Sequence, residues 1–566
     1  MAQNTLGPAP ARWLGWLHRD FDDESRLMTD APETPEGLRP ANENPWYVLM
    51  TLYGEQEGEE VDWELHEKNS KLWNRLVSNS IGEAVREKAR ELGLSVPSRE
   101  EFHTARPEAW KLFREVYRTR NECNWQGRAL PQFRTGLAMG ELHFENTLVM
   151  QGMMIPHSIL LDGSFFDKGV VAASTVFDGG VSFDNVEAVA GVDVNKSYFS
   201  GSFSAQNSTF HGLLEFRETE CCNDVDFSKV LVKGDLFATH ANFGGIAKFE
   251  DSKFSRVYFQ RAKFQGDVSF AKVVFGGEAK FQVVEFSGSL DFQLCHFKSN
   301  ACFQGGVFNS IAGFRSTQFD DGAWFTTGLF HKRVDFGEAK FYGITDVSKT
   351  NVTRAIRFDG CDFQAPVSFD HATFSSSYPQ LNGTSFPDNV TFSANDQHWP
   401  KHTPQDTAGS KEACATIRHL LTQQGLPEDA HFFFRREMRF ASQIGSFWQR
   451  LPYRLFGWLS DFGYSIQRPL VWLLCLWAFG GAAFWGYLAS CRVPTPPGVV
   501  ERPMGTAMAL SFSNLFPLFG FGRVFLSEVL AGLPRWAQVL SGAQTVLSLP
   551  LLFFLGLALR QRFRLR

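Results

Sequence analysis

Four polar side chains share one face of a predicted helix in the last long apolar segment of this 566-residue chain. They recur at i, i+3, i+4 and i+7, and they are Ser541, Gln544, Thr545 and Ser548. Hydroxyl and amide groups in this arrangement are unfavourable against lipid, but they can line a water-filled pore or hydrogen-bond to neighbouring helices. The stripe therefore predicts association between helices, with a pore-lining role and a packing role both left open.

Other kinds of chemistry have little basis in this sequence. It contains no G-x-x-x-x-G-K-[ST], H-E-x-x-H or G-x-S-x-G motif, and its 14 histidines are dispersed. The nine cysteines are odd in number and form no C-x-x-C pair, which argues against a disulfide framework and a zinc site. We predict no catalytic residues, no metal, no cofactor and no enzymatic activity.

Two uncharged apolar segments are long enough to cross about 30 Å of hydrocarbon as helices. They are residues 469–491 and 536–559. Cations precede the first and follow the second, so the positive-inside rule predicts cytoplasmic termini and an external segment 492–535. These cations are Arg435, Arg436, Arg439, Arg450, Arg454, Arg468, Arg560, Arg562, Arg564 and Arg566. We expect a two-span protein in the lipid bilayer of the bacterial inner membrane.

The external segment contains an uncharged stretch, residues 503–522 (PMGTAMALSFSNLFPLFGFG), that is too short and interrupted for a third span. An apolar half-helix rich in small residues that leads into a Gly-aromatic-Gly turn resembles the re-entrant pore loop of two-transmembrane potassium channels. The resemblance implies a homo-oligomer, such as a tetramer, around a pore, because irregular backbone at this depth needs protein or water around it. The implied filter-like segment consists of Leu518, Phe519, Gly520, Phe521, Gly522 and Arg523.

The filter-like segment departs from the potassium-channel pattern at several positions. Leu518 and Phe519 occupy the place of the family's Thr-Val, so the hydroxyl ligand is missing. Arg523 stands where an acidic residue usually follows, and a cation at the outer mouth repels K⁺. We therefore do not predict potassium selectivity, and a weakly selective or anion-favouring pore is equally compatible with the sequence.

Phenylalanine accounts for 57 residues and follows a regular schedule in the middle of the chain. After Phe264 the steps alternate six and five residues, a period that neither helix nor plain strand produces. We predict a coil with short faces and one large inward residue per face, with small residues two positions earlier. Gly266, Gly277 and Gly288 are expected at corners that need unusual backbone angles. The predicted interior ladder includes Phe264, Phe270, Phe275, Phe281, Phe286, Phe292, Phe297 and Phe303.

These residues resemble the pentapeptide-repeat family, in the variant with alternating five- and six-residue spacing. The resemblance covers roughly residues 144–392 and implies a right-handed, four-sided β-helix of about eleven coils. Some family members mimic DNA and bind topoisomerases. Residues 141–374 hold 20 Lys/Arg and 28 Asp/Glu, a net charge of 20 − 28 = −8 interleaved with lysines, so we expect neither DNA mimicry nor a nucleic-acid partner.

The complete prediction is a mixed fold with four regions. Residues 1–140 form a helical domain, either a cap on the open end of the β-helix or a sensing domain, and residues 141–394 form the β-helix. Residues 395–467 contain a linker, a helical hairpin and an amphipathic helix, which lies in the membrane interface or packs on protein. Residues 468–566 form the two-span pore-like module.

Helix bounds follow from the same patterns. The segments Glu60–Leu92 and Ser98–Asn121 are predicted helices of the first region, with Ser98 and Glu101 as a capping box. In the third region, helices are predicted over Glu412–Gln424 and Glu428–Gln443, and the amphipathic segment runs from Ser446 to Gln467.

Three functions are compatible with this organisation. The first is an oligomeric ion channel of uncertain selectivity, gated or scaffolded by a β-helix that senses an unidentified cytoplasmic partner or ligand. The second is a membrane-anchored scaffold without conduction. The third, topoisomerase inhibition, is disfavoured because the β-helix is tethered at the membrane.

Overall fold

The computed structural model describes residues 35, 37–121, 130–133, 136–401, 405–490, 503–521, 524 and 526–563. The chain divides into two compact units, Met1–Gly288 with Phe297–Ser299 and Ser289–His296 with Asn300–Arg566. The fold is a parallel β-solenoid of about 12 turns, with helices before it and two candidate membrane helices after it. The predicted mixed fold class is therefore confirmed.

The strands of the first unit are short and pair in parallel with strands one coil away. By face they are Arg39–Pro40, Leu142–Phe144, Phe165–Phe166, Glu187–Ala188, Thr209–Phe210, Leu231–Val232, Lys253–Phe254 and Val274–Phe275; Leu137–Ala138, Ile159–Leu160, Val181–Ser182, Phe203–Ser204, Val225–Asp226, Ala247–Lys248 and Val268–Ser269; Leu148–Val149, Val170–Val171, Val192–Asp193, Leu214–Glu215, Leu236–Phe237, Val257–Tyr258 and Ala279–Lys280; and Met154–Ile155, Val176–Phe177, Tyr198–Phe199, Glu220–Cys221, Asn242–Phe243, Lys263–Phe264 and Glu285–Phe286.

One coil of the first unit is a residue shorter than its neighbours. Leu214 pairs with Leu236, 22 residues later, but Leu236 pairs with Val257, 21 residues later. The missing residue falls at a corner, where only Ser255 and Arg256 separate two successive strands. The inward register is preserved, so the break in the Phe spacing before Phe264 leaves the core intact.

Stacked phenylalanine rings fill the interior of the coils. All eight ring positions of the predicted ladder are buried. Within the first unit, the Phe249 and Phe270 rings stack at 4.5 Å, and the Phe264 and Phe286 rings stack at 5.2 Å with an interplanar angle of 7°. Each such pair contributes about 0.5–1.5 kcal/mol beyond the burial of its apolar area.

The glycines predicted to need unusual backbone angles do not have them, and that prediction is wrong. The left-handed backbone positions lie at a different corner and recur every eleven residues, except for ten between Asp251 and Arg261. Most of them are occupied by residues other than glycine, such as Asn185 (φ 58°) and Lys272 (φ 60°). Gly266 is instead required by a close approach, since an added Cβ would lie 2.3 Å from the Gly245 carbonyl oxygen in the preceding coil. Gly288 stands in the same relation to Gly266, again at 2.3 Å.

From residue 37 to residue 121, the N-terminal part of the first unit contains four helices and a short 3₁₀ turn, Ala41–Glu43. The helices are α1 (Pro45–Met50), α2 (Trp63–Val77), α3 (Glu83–Glu91) and α4 (Glu101–Arg120). The single helix predicted over Glu60–Leu92 is wrong, because the chain breaks after Val77 and α3 restarts at the N-cap Gly82. In the predicted capping box, the Ser98 amide donates to the Glu101 carboxylate at 2.8 Å, although α4 itself begins at Glu101.

These helices satisfy backbone groups at the first coil. The Trp73 indole of α2 donates to the Met154 carbonyl at 2.8 Å. The Met154 amide donates to the side-chain oxygen of Asn74, also in α2, at 2.8 Å. The Asn44 carboxamide donates to the Ala138 carbonyl, and Arg39–Pro40 pairs in parallel with Leu142 and His143. Backbone groups that would otherwise form an open sheet edge are thereby paired, which is what capping requires.

The second unit contains the later coils and the C-terminal helices. Its strands, by face, are Gln318–Phe319, Lys340–Phe341 and Asp362–Phe363; Leu290–Asp291, Ala312–Gly313, Val334–Asp335 and Ile356–Arg357; Ala301–Cys302, Ala323–Trp324, Thr345–Asp346, Val367–Phe369 and Val390–Phe392; and Val307–Phe308, Leu329–Phe330, Asn351–Val352 and Thr373–Phe374, while His296–Phe297 spans the boundary between units. The helices are α5 (Thr407–Gln423), α6 (Pro427–Ala441), α7 (Phe447–Ser460), α8 (Gln467–Ser490), α9 (Pro503–Leu515), α10 (Ser527–Gly532) and α11 (Arg535–Phe563), with 3₁₀ turns at Asp396–His398 and Pro517–Phe519.

The α5–α6 hairpin closes the last coil of the second unit. The Gln424 carboxamide donates to the Asp388 and Val390 carbonyls at 2.7 and 2.8 Å, which satisfies acceptors at the last strand. The Phe433 ring of α6 contacts the Trp399 ring at 4.9 Å. The sequence predicted a hairpin here but not that it would cap the β-helix.

We predict that Gly266→Ala lowers the free energy of unfolding by about 1–3 kcal/mol, because the added Cβ collides with rigid backbone. Gly276→Ala is the matched control: its Cβ would lie 3.5 Å from the Phe254 carbonyl oxygen, an ordinary contact, so a change within about 0.5 kcal/mol is expected. Denaturant unfolding followed by circular dichroism measures both. Equal effects would contradict the close-approach explanation.

Candidate functional site in the C-terminal helices

Within the part of the chain that the structure describes, two helices are long and apolar enough to cross a membrane, over Gln467–Ala489 and Arg535–Gln561. In the most apolar window of each, only 22% of the residues are buried within the chain. Between them, the 13 residues of α9 give a helix of about 20 Å, which is shorter than the hydrocarbon layer. The arrangement is therefore two candidate spans and a half-length helix.

The half-helix α9 packs against both candidate spans. Its Ala507 and Leu510 are fully buried with Phe484 of α8 and Ala537 of α11, and its end residue Leu515 is buried in a second cluster. Close packing depends on small residues in α8. An added Cβ at Gly480 would lie 2.5 Å from the Gln544 amide nitrogen, and one at Gly481 would lie 2.5 Å from the Met508 sulfur.

A buried network of polar side chains joins α9 to α11. The Asn514 side-chain amide (Nδ2) donates to the Gln544 side-chain oxygen (Oε1) at 3.1 Å. The Ser541 hydroxyl donates to the Asn514 side-chain oxygen (Oδ1) at 3.0 Å. The Gln544 amide in turn donates to the Leu476 backbone carbonyl of α8 at 3.1 Å and to the Ser511 hydroxyl. The network therefore fixes all three helices to one another within one chain.

The four residues of the polar stripe have different surroundings. Gln544 and Ser548 are 1% and 0% exposed, and the Ser548 hydroxyl donates to the Thr545 carbonyl at 2.9 Å. Ser541 is also buried, whereas Thr545 is half-buried and bonds to the Ser541 carbonyl of its own helix. These contacts belong to the helix-packing interpretation, and a pore-lining role for the stripe stays a prediction.

The filter-like segment follows α9 as an irregular turn. Gly520 adopts φ 67° and ψ 9°, the left-handed conformation, and its amide donates to the Pro517 carbonyl at 3.3 Å. Phe519 and Phe521 are 67% and 42% exposed. Gly522 and Arg523, together with the side chain of Leu518, lie outside the described residues. Among the described residues, the turn thus presents two large, exposed aromatic rings beside the candidate spans.

An apolar groove of about 460 Å³ opens beside this turn. Its lining joins residues from α8, α9 and the turn: Trp477, Met508, Ala509, Phe512, Ser513, Phe521 and Leu526. The Trp477 indole is held by a 3.1 Å hydrogen bond to the Met508 carbonyl. The groove has the character of a surface for apolar groups, and none of its described lining residues is acidic or basic.

An ionic cluster connects the capping hairpin to the first candidate span. Asp461, in the left-handed conformation at the end of α7, is 7% exposed and forms a salt bridge with Arg435 of α6. Its carboxylate also lies 3.7 Å from Arg439 of α6 and 3.8 Å from Arg468 of α8. Asp461 thus links two helices through a single carboxylate.

His431 forms a second link, to the end of α11. Its imidazole nitrogen lies 3.0 Å from the Gln561 carbonyl oxygen, and its ring lies 5.0 Å from that of Tyr464. Burial lowers the pKa of His431, so the neutral imidazole is the favoured form.

Sequence reasoning did not single out Asn514, Ser511 or Asp461. A signal existed for each. Ser511 and Asn514 are three residues apart in an otherwise apolar helix, and therefore share a face. Asp461 is the one acidic residue between positions 438 and 500, a stretch with five arginines. A lone acidic residue in a segment with several arginines is a strong candidate for a structural ion pair.

Comparison with known proteins supports the repeat region alone. The family model for pentapeptide repeats, in nine copies, matches residues 238–285 and 329–373. The repeat region is thus similar to that family, and the parallel β-solenoid fits the similarity. No curated protein and no solved structure matches the chain. No family match covers the C-terminal helices.

We predict that Gln544→Leu destabilises the C-terminal helices by about 1–2 kcal/mol, because it removes three hydrogen bonds to the two neighbouring helices α8 and α9 and leaves the Asn514 side-chain amide without its acceptor. Thr545→Val is the matched control: it is a neighbouring polar residue that bonds only to its own helix, so a change below about 0.5 kcal/mol is expected. Thermal unfolding in detergent measures the difference, and similar melting temperatures for both variants would show that the network contributes little.

Proposed function

We propose that this protein is a homo-oligomeric ion channel of the bacterial inner membrane, with a cytoplasmic pentapeptide-repeat β-helix that gates or scaffolds it. In this proposal both termini lie in the cytoplasm, which the positive-inside rule predicts from the arginines flanking the two spans. The channel is weakly selective or favours anions, because the filter-like segment lacks a hydroxyl ligand and carries Arg523.

The proposal rests mainly on the half-length helix α9, which packs against both candidate spans and leads into the exposed, irregular filter-like segment. The polar network of Asn514 and Gln544 holds the end of α9 against both spans, and the filter-like segment begins a few residues later. Non-helical backbone at membrane depth is tolerated only where protein or water surrounds it. Further copies of the chain around a water-filled pore would supply the surroundings that this segment needs.

A path for gating runs through the Asp461 cluster. Arg435 and Arg439 belong to the helix that caps the last coil, and Arg468 belongs to the first candidate span. A displacement of α6, caused by a partner bound to the β-helix, would change the contacts of a carboxylate that also holds α8. The proposed signal therefore travels from the capping hairpin to the spans through charged groups in direct contact.

A second candidate function, a membrane-anchored scaffold without conduction, is favoured by a different observation. The stripe residues Ser541, Gln544 and Ser548 find hydrogen-bond partners within one chain, so their polarity does not require a pore. In that case the spans tether a β-helix whose outer faces bind a cytoplasmic partner.

Mass measurement of the full-length protein in lipid nanodiscs separates the two functions. We expect a symmetric tetramer or a higher ring, because the residues around Gly520 otherwise expose irregular backbone to lipid. A stable monomer would reject the channel and retain the scaffold.

Ion flux through reconstituted protein tests the filter-like segment. We expect Gly520→Ala to reduce flux, because the left-handed conformation at φ 67° costs a non-glycine residue about 1–2 kcal/mol. Gly532→Ala is the control, since that glycine ends α10 in open space without a positive φ. Arg523→Glu is expected to shift the permeability ratio towards cations. Unchanged flux and selectivity in both Gly520→Ala and Arg523→Glu would contradict a conducting role for the segment.

A further inference from the structure

A second cavity, of about 320 Å³, lies where α6, α7 and the start of α8 meet. Three arginines, Asp461, two hydroxyl groups and an indole form most of its lining: Arg439, Arg454, Arg468, Asp461, Ser442, Tyr453 and Trp458. The arginines outnumber the acid, so the lining carries a net charge of 3 − 1 = +2. Neither the polar stripe nor the filter-like segment belongs to this cavity.

The Asp461 carboxylate, the one acidic group of the cavity lining, is already paired with several arginines. Asp461 is buried and faces Arg435 as well as Arg439 and Arg468, so one negative charge is shared by three guanidinium groups. The side chains of Arg439 and Arg468 remain 51% and 50% exposed, so their other N–H groups face the cavity or the solvent. Among the described residues, no acidic side chain lies within 4.0 Å of Arg454.

The position of the cavity places it at the membrane boundary. Arg468 is the second residue of the first candidate span, and its guanidinium is fixed by a 2.7 Å bond to the Gly457 carbonyl of α7. The Trp458 ring lies 4.3 Å from the Trp472 ring in the first turns of that span. Tryptophan at such a position is typical of the interface between headgroups and acyl chains.

The outer face of α7 is apolar and uncovered. Phe447, Trp448 and Trp458 are 61%, 76% and 59% exposed. A helix with exposed aromatic rings beside arginines, directly before a span, has the composition of a helix that lies in the membrane interface. Acyl chains would cover these rings while the headgroup reaches the arginines.

We propose that this cavity binds the phosphate group of an anionic phospholipid from the cytoplasmic leaflet. The phosphate accepts hydrogen bonds from Arg439 and Arg454, and it supplies the negative charge that Asp461 alone does not. The bound lipid would hold α6 and α8 together across α7, and so strengthen the link between the capping hairpin and the first span. The proposal goes beyond conduction, because it requires only that α8 lies in a membrane.

Lipid binding to the full-length protein tests this site directly. Native mass spectrometry in neutral detergent, titrated with phosphatidylglycerol or phosphatidylcholine, gives the affinity for each lipid. We expect phosphatidylglycerol to bind more tightly, and Arg454→Gln and Arg439→Gln each to weaken it about fivefold, the worth of one cation near an anionic headgroup. Arg454→Lys keeps the charge and is expected to retain most of the affinity.

Arg450→Gln is the matched control, because Arg450 lies one turn before Arg454 on α7 but does not line the cavity. Equal losses in the Arg450 and Arg454 variants would overturn the site, since surface charge in general would then explain binding. Inorganic phosphate is the third titrant. Its effect is measured as the melting temperature of the full-length protein in the same detergent, beside that of phosphatidylglycerol. If phosphate raises the melting temperature and phosphatidylglycerol does not, the site is for a soluble anion and the lipid assignment is wrong. A protein that binds the lipid but does not conduct would reject the channel and leave this site standing.

Discussion

Every buried backbone N–H and C=O group needs a hydrogen-bond partner, and this requirement governs both parts of this chain. In the repeat region, strands of two residues are too short to stand alone, and each is paired with the strand one coil away. The first coil then needs a cap, which Asn74 and Trp73 supply, and the last needs another, which Gln424 supplies. In the C-terminal helices, the turn after α9 meets the same need locally, because the Gly520 amide donates to the Pro517 carbonyl and the Gly520 carbonyl accepts from the Val524 amide.

Packing decides how tightly these elements approach. In the β-helix, small residues such as Ala262 and Val268 leave space for rings stacked in successive coils, and Gly266 lets two backbones touch. In the C-terminal helices, the absence of a Cβ at Gly480 and Gly481 leaves space for the side chains of Gln544 and Met508. Both regions thus combine large side chains with small residues placed where a Cβ would collide, although one is made of strands and the other of helices.

The repeat was predictable because its signal is redundant: a single slip in register would expose a phenylalanine, so spacing alone identifies the inward positions. The corners were less predictable. The left-handed residues include Val283 and Leu294, and nothing in their side chains marks them, because stacked coils impose the conformation from outside. The capping role of α5 and α6 was hidden for a similar reason, since Gln424 and Phe433 act through tertiary contacts that no local pattern encodes. For the polar stripe, helical spacing identified Ser541, Gln544 and Ser548 as a common face but could not say that the facing residue would be Asn514 of the same chain.

The 21-residue coil between Leu236 and Val257 bears on how repeat proteins of this kind change length. Removal of one residue at a corner shortens a loop, while removal of one residue within a face would turn every later ring towards solvent. Insertions and deletions are therefore filtered by position, and the corners are where homologous chains should differ in residue count. A search for repeats with one fixed period loses phase at such a corner, even though the core continues without interruption.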